Sequence, residues 1–446
     1  MEIPDTIKGR KVRRAIKREA KTLTDHQEEA FLRVIEPLLV EHTAFVRLSG
    51  YAGTGKTYLA GAICRVFDAV DEEYVVAAPT HKATSQVRLS IGNEVTGEIK
   101  ARTVQSLLGL VLSKDGEGGY TLVPENEPKI PEGGVVIVDE ASMISSTLWE
   151  YISATTDVRW LFVGDPGQLP PVKEDPSCVF ELEGATLEEV VRQAEDNPIL
   201  AMATRIRRRE AFLLRDVVQY KEGMGVGVTK NQQAFLQSAI NAFTENGFSD
   251  DPMHGRVLAY RNDTVNSYNK AIRTAVYGKD APQFVEGEWL VANGTWYDQD
   301  IPIVLNSEML RVQKVKEDVD TLGQGGQWPV WRLRVEPQGR PIKEITVLHE
   351  DAQEKYQKEL DRFREAAETA EDMDVRRNQW RNYYAMREQY ADVSPAYAST
   401  IHKAQGCTFD AVWCDLRNIR GVAEPERSAL TYVAATRPRE RLGLLV

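Results

Sequence analysis

Phe45-Val46-Arg47-Leu48-Ser49-Gly50-Tyr51-Ala52-Gly53-Thr54-Gly55-Lys56-Thr57, followed by the largely apolar run from Tyr58 to Val66, reads as a strand, a glycine loop and a helix. The loop fits G-x-x-x-x-G-K-[ST]. In that pattern backbone N–H groups turn toward phosphate oxygens and the following helix offers the positive end of its dipole. Gly50, Ala52, Gly53, Thr54 and Gly55 then form the cradle for a nucleoside triphosphate, Lys56 reaches the outer phosphates, and Thr57 meets a magnesium ion. The flanking strand and helix separate this reading from a glycine turn that holds no ligand.

A chain of 446 residues exceeds one ordinary core, so two to four domains are expected. Its hydrophobic content of 42% suits a globular protein. Cys64, Cys178, Cys407 and Cys414 show no C-x-x-C pairing and no early secretory apolar run precedes them, so free thiols in a reducing cytoplasm are expected. No stretch of 18 apolar residues suggests a membrane span. The net charge of −12 argues against a protein that simply coats nucleic acid. Locally, Lys8, Arg10, Lys11, Arg13, Arg14, Lys17, Arg18 and Lys21 crowd around Glu19 alone, and Arg205, Arg207, Arg208 and Arg209 form a second cluster. Each reads either as a phosphate contact or as a solvated face, the first also as a floppy arm.

Val135-Val136-Ile137-Val138 is a short β-branched run, the mark of a buried parallel strand, and it delivers Asp139 and Glu140 at its carboxyl end. Asp139 is placed to hold magnesium through water. Glu140 can orient and deprotonate an attacking water, a task a mere binder does not need. A further strand, Trp160 to Val163, ends in Gly164-Asp165-Pro166-Gly167-Gln168, where Gln168 can sense a γ-phosphate. Tyr74 to Ala78 ends in Pro79-Thr80-His81-Lys82. Alternating strands and helices with polar residues at strand carboxyl ends indicate an α/β fold with parallel sheets.

These runs, with Ser399-Thr400-Ile401-His402-Lys403-Ala404-Gln405-Gly406 and Tyr432-Val433-Ala434-Ala435-Thr436-Arg437, resemble the ordered motifs of superfamily-one DNA helicases. Within them the RecD-like branch, and in it the Dda-type helicases of bacteriophages, is the most similar. The resemblance runs from about residue 24 to the end of the sequence. It implies ATP and magnesium as cofactors and two RecA-like domains. Residues 1–190 would hold the N-terminal basic segment and the first domain, 191–283 and 394–446 the two parts of the second, and 284–393 an SH3-like insertion. Gln27 would read the adenine edge, although Thr24 or Asp25 with Glu28 also looks like a capping box. Gly406 would line the nucleotide site, and Arg192 and Arg437 would point at the γ-phosphate.

Family positions that hold single-stranded DNA fall on Pro79, Thr80, His81, Lys82, Thr103 and Gln105 in the first domain and on Thr400, His402 and Lys403 in the second. Such contacts to phosphate and sugar carry no sequence information. Position 105 is usually histidine in the family, and Thr103 and Gln105 also suit a helix cap. Leu110 to Ser113 and Tyr120 to Val123 read as a β-hairpin within residues 109–130. It resembles the pin that splits duplex DNA, with Tyr120 meeting the junction base pair. Between 284 and 393 come strand-like runs that suggest a small barrel. After them lies a helical stripe of Tyr356, Leu360, Phe363, Ala367 and Ala370, and a second carrying Trp380, Tyr383, Tyr384, Arg387 and Tyr390. Plain core packing and base stacking are the two readings of the aromatics.

The expectation is an ATP-dependent DNA helicase moving 5′ to 3′, whose direction rests on the resemblance alone. Tailed or forked duplex DNA would be its substrate and replication proteins its candidate partners. It would act as a monomer in the cytoplasm, the host's if phage-encoded, with no appended nuclease domain after the last strand. A strand translocase that only displaces bound proteins would keep the same motor motifs, and a nucleotide-switched binding module would use Glu140 only as structure.

Overall fold

A computed structural model of the chain describes residues 4, 6–92, 101–114, 120–171, 174–190, 197–209, 218–221, 224–245, 248, 250–298, 301–321 and 326–446. The chain divides into two compact units, one of residues 1–111, 122–230 and 404–446, the other of residues 112–121 and 231–403.

The first unit opens with α1 (Arg10–Ala20) and α2 (Asp25–Glu36). Then come β1 (Phe45–Gly50), α3 (Lys56–Val70), β2 (Tyr74–Ala78), α4 (His81–Gly92), β3 (Ala101–Thr103) and α5 (Val104–Leu107). A two-stranded pair of β4 (Leu110–Lys114) and β5 (Tyr120–Pro124), of which residues 112–121 belong to the second unit, precedes β6 (Val135–Val138), α6 (Ser146–Ser153), β7 (Arg159–Gly164) and β8 (Gly184–Leu187). Six of these strands form one sheet in the order β3-β2-β6-β7-β1-β8, and every strand pair in it is parallel. Parallel strands need both faces covered, which explains the unbroken β-branched run of β6. Val135 and Ile137 pack under α1 to α4 with Leu48, Ile63 and Phe67, while Val136 and Val138 face Leu107, Leu148, Trp160 and Phe162. The basic segment is thus a packed helix: Ala15 and Ile16 of α1 are buried in this core and its cations lie on the outer side.

The polarity of the sheet brings the carboxyl ends of β1, β2, β6 and β7 to one edge, where open α/β sheets bind ligands. β1 sits between β7 and β8. Its register sets Ser49 beside Gly164 and Gly50 beside Leu187, so the glycine loop emerges next to the Gly164-Asp165 turn.

Further on, α7 (Pro198–Arg207), β9 (Val218–Lys221) and β10 (Met224–Thr229) complete this stretch of the first unit. In the second unit, α8 (Gln232–Glu245), β11 (Gly255–Ala259) and α9 (Asn262–Tyr277) lead to a five-stranded sheet. Its members are β12 (Trp289–Ala292), β15 (Met309–Asp320), β16 (Trp328–Pro337), β17 (Lys343–Leu348) and β18 (Val393–Pro395), ordered β17-β16-β15-β12-β18 and antiparallel throughout. A small hairpin, β13 (Trp296–Asp298) with β14 (Ile301–Val304), accompanies it. Alternation along β16, with Val330, Leu333 and Val335 buried and Arg332 and Arg334 exposed, marks one solvated face.

α10 (Gln353–Thr369) and α11 (Met373–Arg387) pack on each other and on that sheet through Trp328, Tyr356, Leu360, Met386 and Tyr390. Plain core packing is therefore the outcome for Tyr356 and Tyr390, whose hydroxyls are also committed, Tyr390 donating to Asp320 at 2.8 Å. β19 (Ala398–Thr400) pairs in parallel with β11. The chain then re-enters the first unit as β20 (Phe409–Asp415), α12 (Glu426–Ala435) and β21 (Pro438–Leu445), where β21 lies parallel between β20 and β10. Among the described residues no helix is long and apolar enough to cross a membrane, and all four cysteines are free thiols.

Candidate functional site

The glycine loop between β1 and α3 has the backbone its sequence demands. Gly53 and Gly55 take positive φ, +78° and +85°, where L side chains are strained. A Cβ on Gly50 would fall 2.8 Å from the Thr54 hydroxyl and 2.9 Å from the Leu187 side chain. No side chain caps the start of α3, so its first N–H groups are not spent on one. The cradle, the helix dipole and Lys56 together fit a triphosphate, and Thr57 with Asp139 fits the hard oxygen-ligand chemistry of magnesium.

Lys56 is held beside the loop: its ammonium donates to the Tyr51 carbonyl at 2.9 Å and lies 4.0 Å from Asp165. Asp139 follows β6 and accepts from the Glu140 N–H at 2.8 Å. Glu140 sits in the left-handed region at φ +53°, a conformation that is costly for a residue with a side chain and that concentrates at functional sites. Burial holds the Asp139 carboxyl above the usual carboxylate range. Burial, and then the neighbouring Asp139 charge, push Glu140 up to about 7, against the pull of Arg437 and Lys56. A carboxylate with that affinity for a proton is suited to taking one from water near neutral pH.

Two side chains from the far end of the chain complete the edge. Gln405 is buried and its amide lies within reach of Gln168 Oε1 at 3.3 Å, the Leu169 carbonyl at 3.3 Å and Ser142 Oγ at 3.4 Å. Tyr432 of α12 accepts from the Ala52 N–H at 2.9 Å and donates to Asp165 at 2.7 Å, while Asp165 also accepts from the Gly167 N–H at 2.9 Å. The phosphate loop, the turn after β7 and α12 thus share one hydrogen-bond chain. Neither Gln405 nor Tyr432 was expected at the site, though both lie inside runs whose neighbours were.

Replacing Tyr432 by phenylalanine would leave the buried Asp165 one partner short and nearer to competing with phosphate for Lys56. Hydrogen bonds to charged groups are worth about 1.5–3 kcal/mol, so KM for ATP is expected to rise roughly tenfold or more with a smaller change in kcat. An unchanged KM in steady-state hydrolysis would reduce the hydroxyl to packing.

The remaining expected residues fall as follows. Arg437 is buried, and its guanidinium donates to the carbonyls of Val433 and Cys407 at 3.1 and 3.0 Å and to Thr436 Oγ1 at 2.9 Å. Gly406, at φ +71°, stands next to Glu140, whose Oε1 would lie 3.9 Å from an added Cβ. Arg192 lies outside the described residues. Gln27 does form a capping box, but with Thr24 directly: Thr24 Oγ1 accepts from the Gln27 N–H and Gln27 Oε1 accepts from the Thr24 N–H. Glu28 is not the partner in that box, because N3 of a helix capped by Thr24 is residue 27. The Gln27 amide also donates to the Thr54 carbonyl at 3.2 Å, which ties α2 to the phosphate loop. α7 leans on the same loop, with the Arg207 guanidinium 3.7 Å over the Tyr51 ring.

Among the residues expected to touch DNA, Thr80 accepts from the Ala83 N–H at the start of α4, which His81 opens, and Thr103 is buried and caps α5 through the Ser106 N–H. Gln105 donates to the Pro79 carbonyl at 3.2 Å, while its Oε1 is buried without a partner among the described residues. Lys82 and Tyr120 lie in α4 and β5; their side chains are outside the described set. In the second unit, Thr400 accepts from the Lys403 N–H, the Lys403 ammonium donates to Asn293 at 2.9 Å, and the His402 ring lies 6.0 Å from that of Tyr260.

Comparison with known proteins adds two family matches in chain order. Residues 22–223 match the family described as AAA domain, and residues 395–445 match the UvrD-like helicase C-terminal domain. The chain is 26% identical to the ATP-dependent DNA helicase dda of Enterobacteria phage T4, across 94% of this chain and 98% of that protein. It is 23% identical to an uncharacterized protein of Acanthamoeba polyphaga mimivirus, across 90% of this chain and 94% of the relative. Over a shorter stretch, 37% of this chain and 22% of the relative, it is 33% identical to the ATP-dependent RecD2 DNA helicase of Deinococcus radiodurans.

Proposed function

We infer that this chain, a superfamily-one helicase homologous to the Dda and RecD2 enzymes, couples ATP hydrolysis to 5′ to 3′ movement along single-stranded DNA and so separates duplexes. The observation that carries the reading is the convergence of Lys56, Asp139, Glu140 and Gln168 at one sheet edge, closed by Gln405 and Tyr432 from the C-terminal motifs. A carboxylate of raised proton affinity beside a triphosphate cradle favours hydrolysis over a nucleotide-switched binding module.

In this reading Gly50 to Gly55 and Lys56 hold the phosphates, Gln27 turns its amide to the adenine, and Gly406 lines the base of the site. Thr57 and Asp139 would hold magnesium, which neutralises phosphate charge when bound. Glu140 orients a water and takes its proton as the water attacks the γ-phosphorus and ADP leaves. Gln168 reports the γ-phosphate to Gln405, and Arg192 and Arg437 supply planar positive charge to the transferring group. The two parts of a second RecA-like domain, 191–283 and 394–446, would respond to hydrolysis by shifting along the strand. Pro79 to Lys82, Thr103, Gln105, Thr400, His402 and Lys403 would track the DNA backbone. The β4–β5 hairpin with Tyr120 would act as pin, and residues 284–393 as an SH3-like clamp. We take the protein to work as a monomer in the cytoplasm, with replication proteins as candidate partners.

The test is unwinding of matched partial duplexes bearing a 5′ or a 3′ single-stranded tail, with ATP and magnesium, beside Lys56→Ala. Only the 5′-tailed duplex is expected to open, and the Lys56 variant to open neither. Opening of the 3′-tailed one alone would reverse the direction. If neither opens while single strands stimulate hydrolysis, the protein is a translocase.

A further inference from the structure

α1 carries its charges on one side. At about 100° per residue, Arg10, Arg14, Lys17 and Lys21 fall within an arc of roughly 60°, flanked by Lys11 and Arg18. All six are exposed. Lys11 pairs with Asp71 and Arg18 with Glu19, whereas Arg10, Arg14, Lys17 and Lys21 have no ion-pair partner among the described residues. The one acid of the segment, Glu19, is buried and also receives Arg65 of α3 at 2.6 Å, so it does not offset the stripe. Arg65 thereby fastens the helix to α3, which leaves the phosphate loop. A chain with net charge −12 has here concentrated cations over about 16 Å of rigid helix.

We propose that this stripe is a second DNA contact, outside the helicase motifs, that binds the phosphate backbone without reading sequence. The inference rests on the DNA-helicase reading above. Phosphate is the chemistry that fits: the exposed cations serve counterion release, and no exposed aromatic or large apolar residue lies among them to suit a membrane surface, since Ile16 is in the core. Because α1 is docked on α3, DNA held there moves with the ATP-binding layer.

The experiment compares the full chain with the variant Arg10→Gln, Arg14→Gln, Lys17→Gln, Lys21→Gln. Binding is measured from low to moderate salt on a fluorescent single-stranded oligonucleotide and on a blunt duplex. Removing four phosphate contacts is expected to make the slope of log K against log salt shallower by about 3 on the probe that α1 touches. DNA-independent hydrolysis should stay unchanged, since none of the four lies at the ATP site. Change on the duplex alone assigns the stripe to duplex, and change on the single strand alone to the tail. The charge-preserving variant Arg10→Lys, Arg14→Lys should keep the parent slope, and circular dichroism checks that the helix remains. Unchanged slopes on both probes, with DNA still bound, overturn the proposal and point the stripe at an acidic protein. Failure of the parent chain to bind either DNA would overturn the helicase reading instead.

Discussion

Glu140→Gln is expected to lower DNA-stimulated ATP turnover by about 10²- to 10⁴-fold, the contribution of a positioned general base, while nucleotide still binds. The amide keeps the shape of the carboxylate and loses the ability to accept a proton. Since burial and Asp139 raise the Glu140 carboxyl to about 7, kcat/KM of the parent should climb as pH rises through neutrality. The same shift has a stability consequence of determinate sign. The folded protein holds the Glu140 proton more tightly than the unfolded chain does. Its contribution is therefore fully present below about 4.5 and is lost as pH rises to about 7. Above that pH the parent carries a half-buried charge that the glutamine variant lacks. The variant should then have the higher Tm at pH 8, and the difference should shrink toward pH 5. A turnover drop of less than tenfold would remove Glu140 from the chemistry. Equal melting behaviour at both pH values would mean that water reaches the carboxylate freely.

Gly184→Ala is expected to destabilise the protein by about 2–4 kcal/mol, from overpacking and backbone strain together. Gly184 opens β8 at φ +152°, opposite Arg47 of β1, and an added Cβ would lie 1.9 Å from the Arg47 carbonyl oxygen. That oxygen belongs to the backbone of a central strand, so no side-chain rotation relieves the clash. Whichever strand gives way, the pairing that holds Leu187 beside Gly50 is disturbed, and ATP affinity should fall with stability. Gly278→Ala is the control, since its φ of +91° is strained but nothing lies within 4 Å of the added atom. It should cost about 1 kcal/mol. Urea midpoints at constant m-value measure both. Equal losses in the two variants would show that backbone strain alone, and not the contact with Arg47, sets the cost.

Local chemistry was legible without coordinates because its signals are short. The glycine loop needs positive φ at Gly53 and Gly55, a buried parallel strand needs the unbroken run Val135 to Val138, and both constraints are written in adjacent residues. The α/β class followed from the alternation of such runs. Thr24 likewise announced a helix start, although Gln27 and not the expected Glu28 closes the capping box, which depended on where the first turn began. What only the tertiary structure decided are meetings between residues remote in the chain. Tyr432 reaches Ala52 and Asp165, and Gln405 reaches Gln168, across hundreds of positions that no periodicity spans. The same holds for the basic segment. Its composition fitted a floppy arm as well as a helix, and the choice was made by Ile16 and Ala15 finding the core beneath α3's neighbours, which left the cations on a single outer face. Backbone preferences are paid residue by residue and so leave a trace in sequence, whereas side-chain partnerships depend on where the folded sheet brings distant strand ends together.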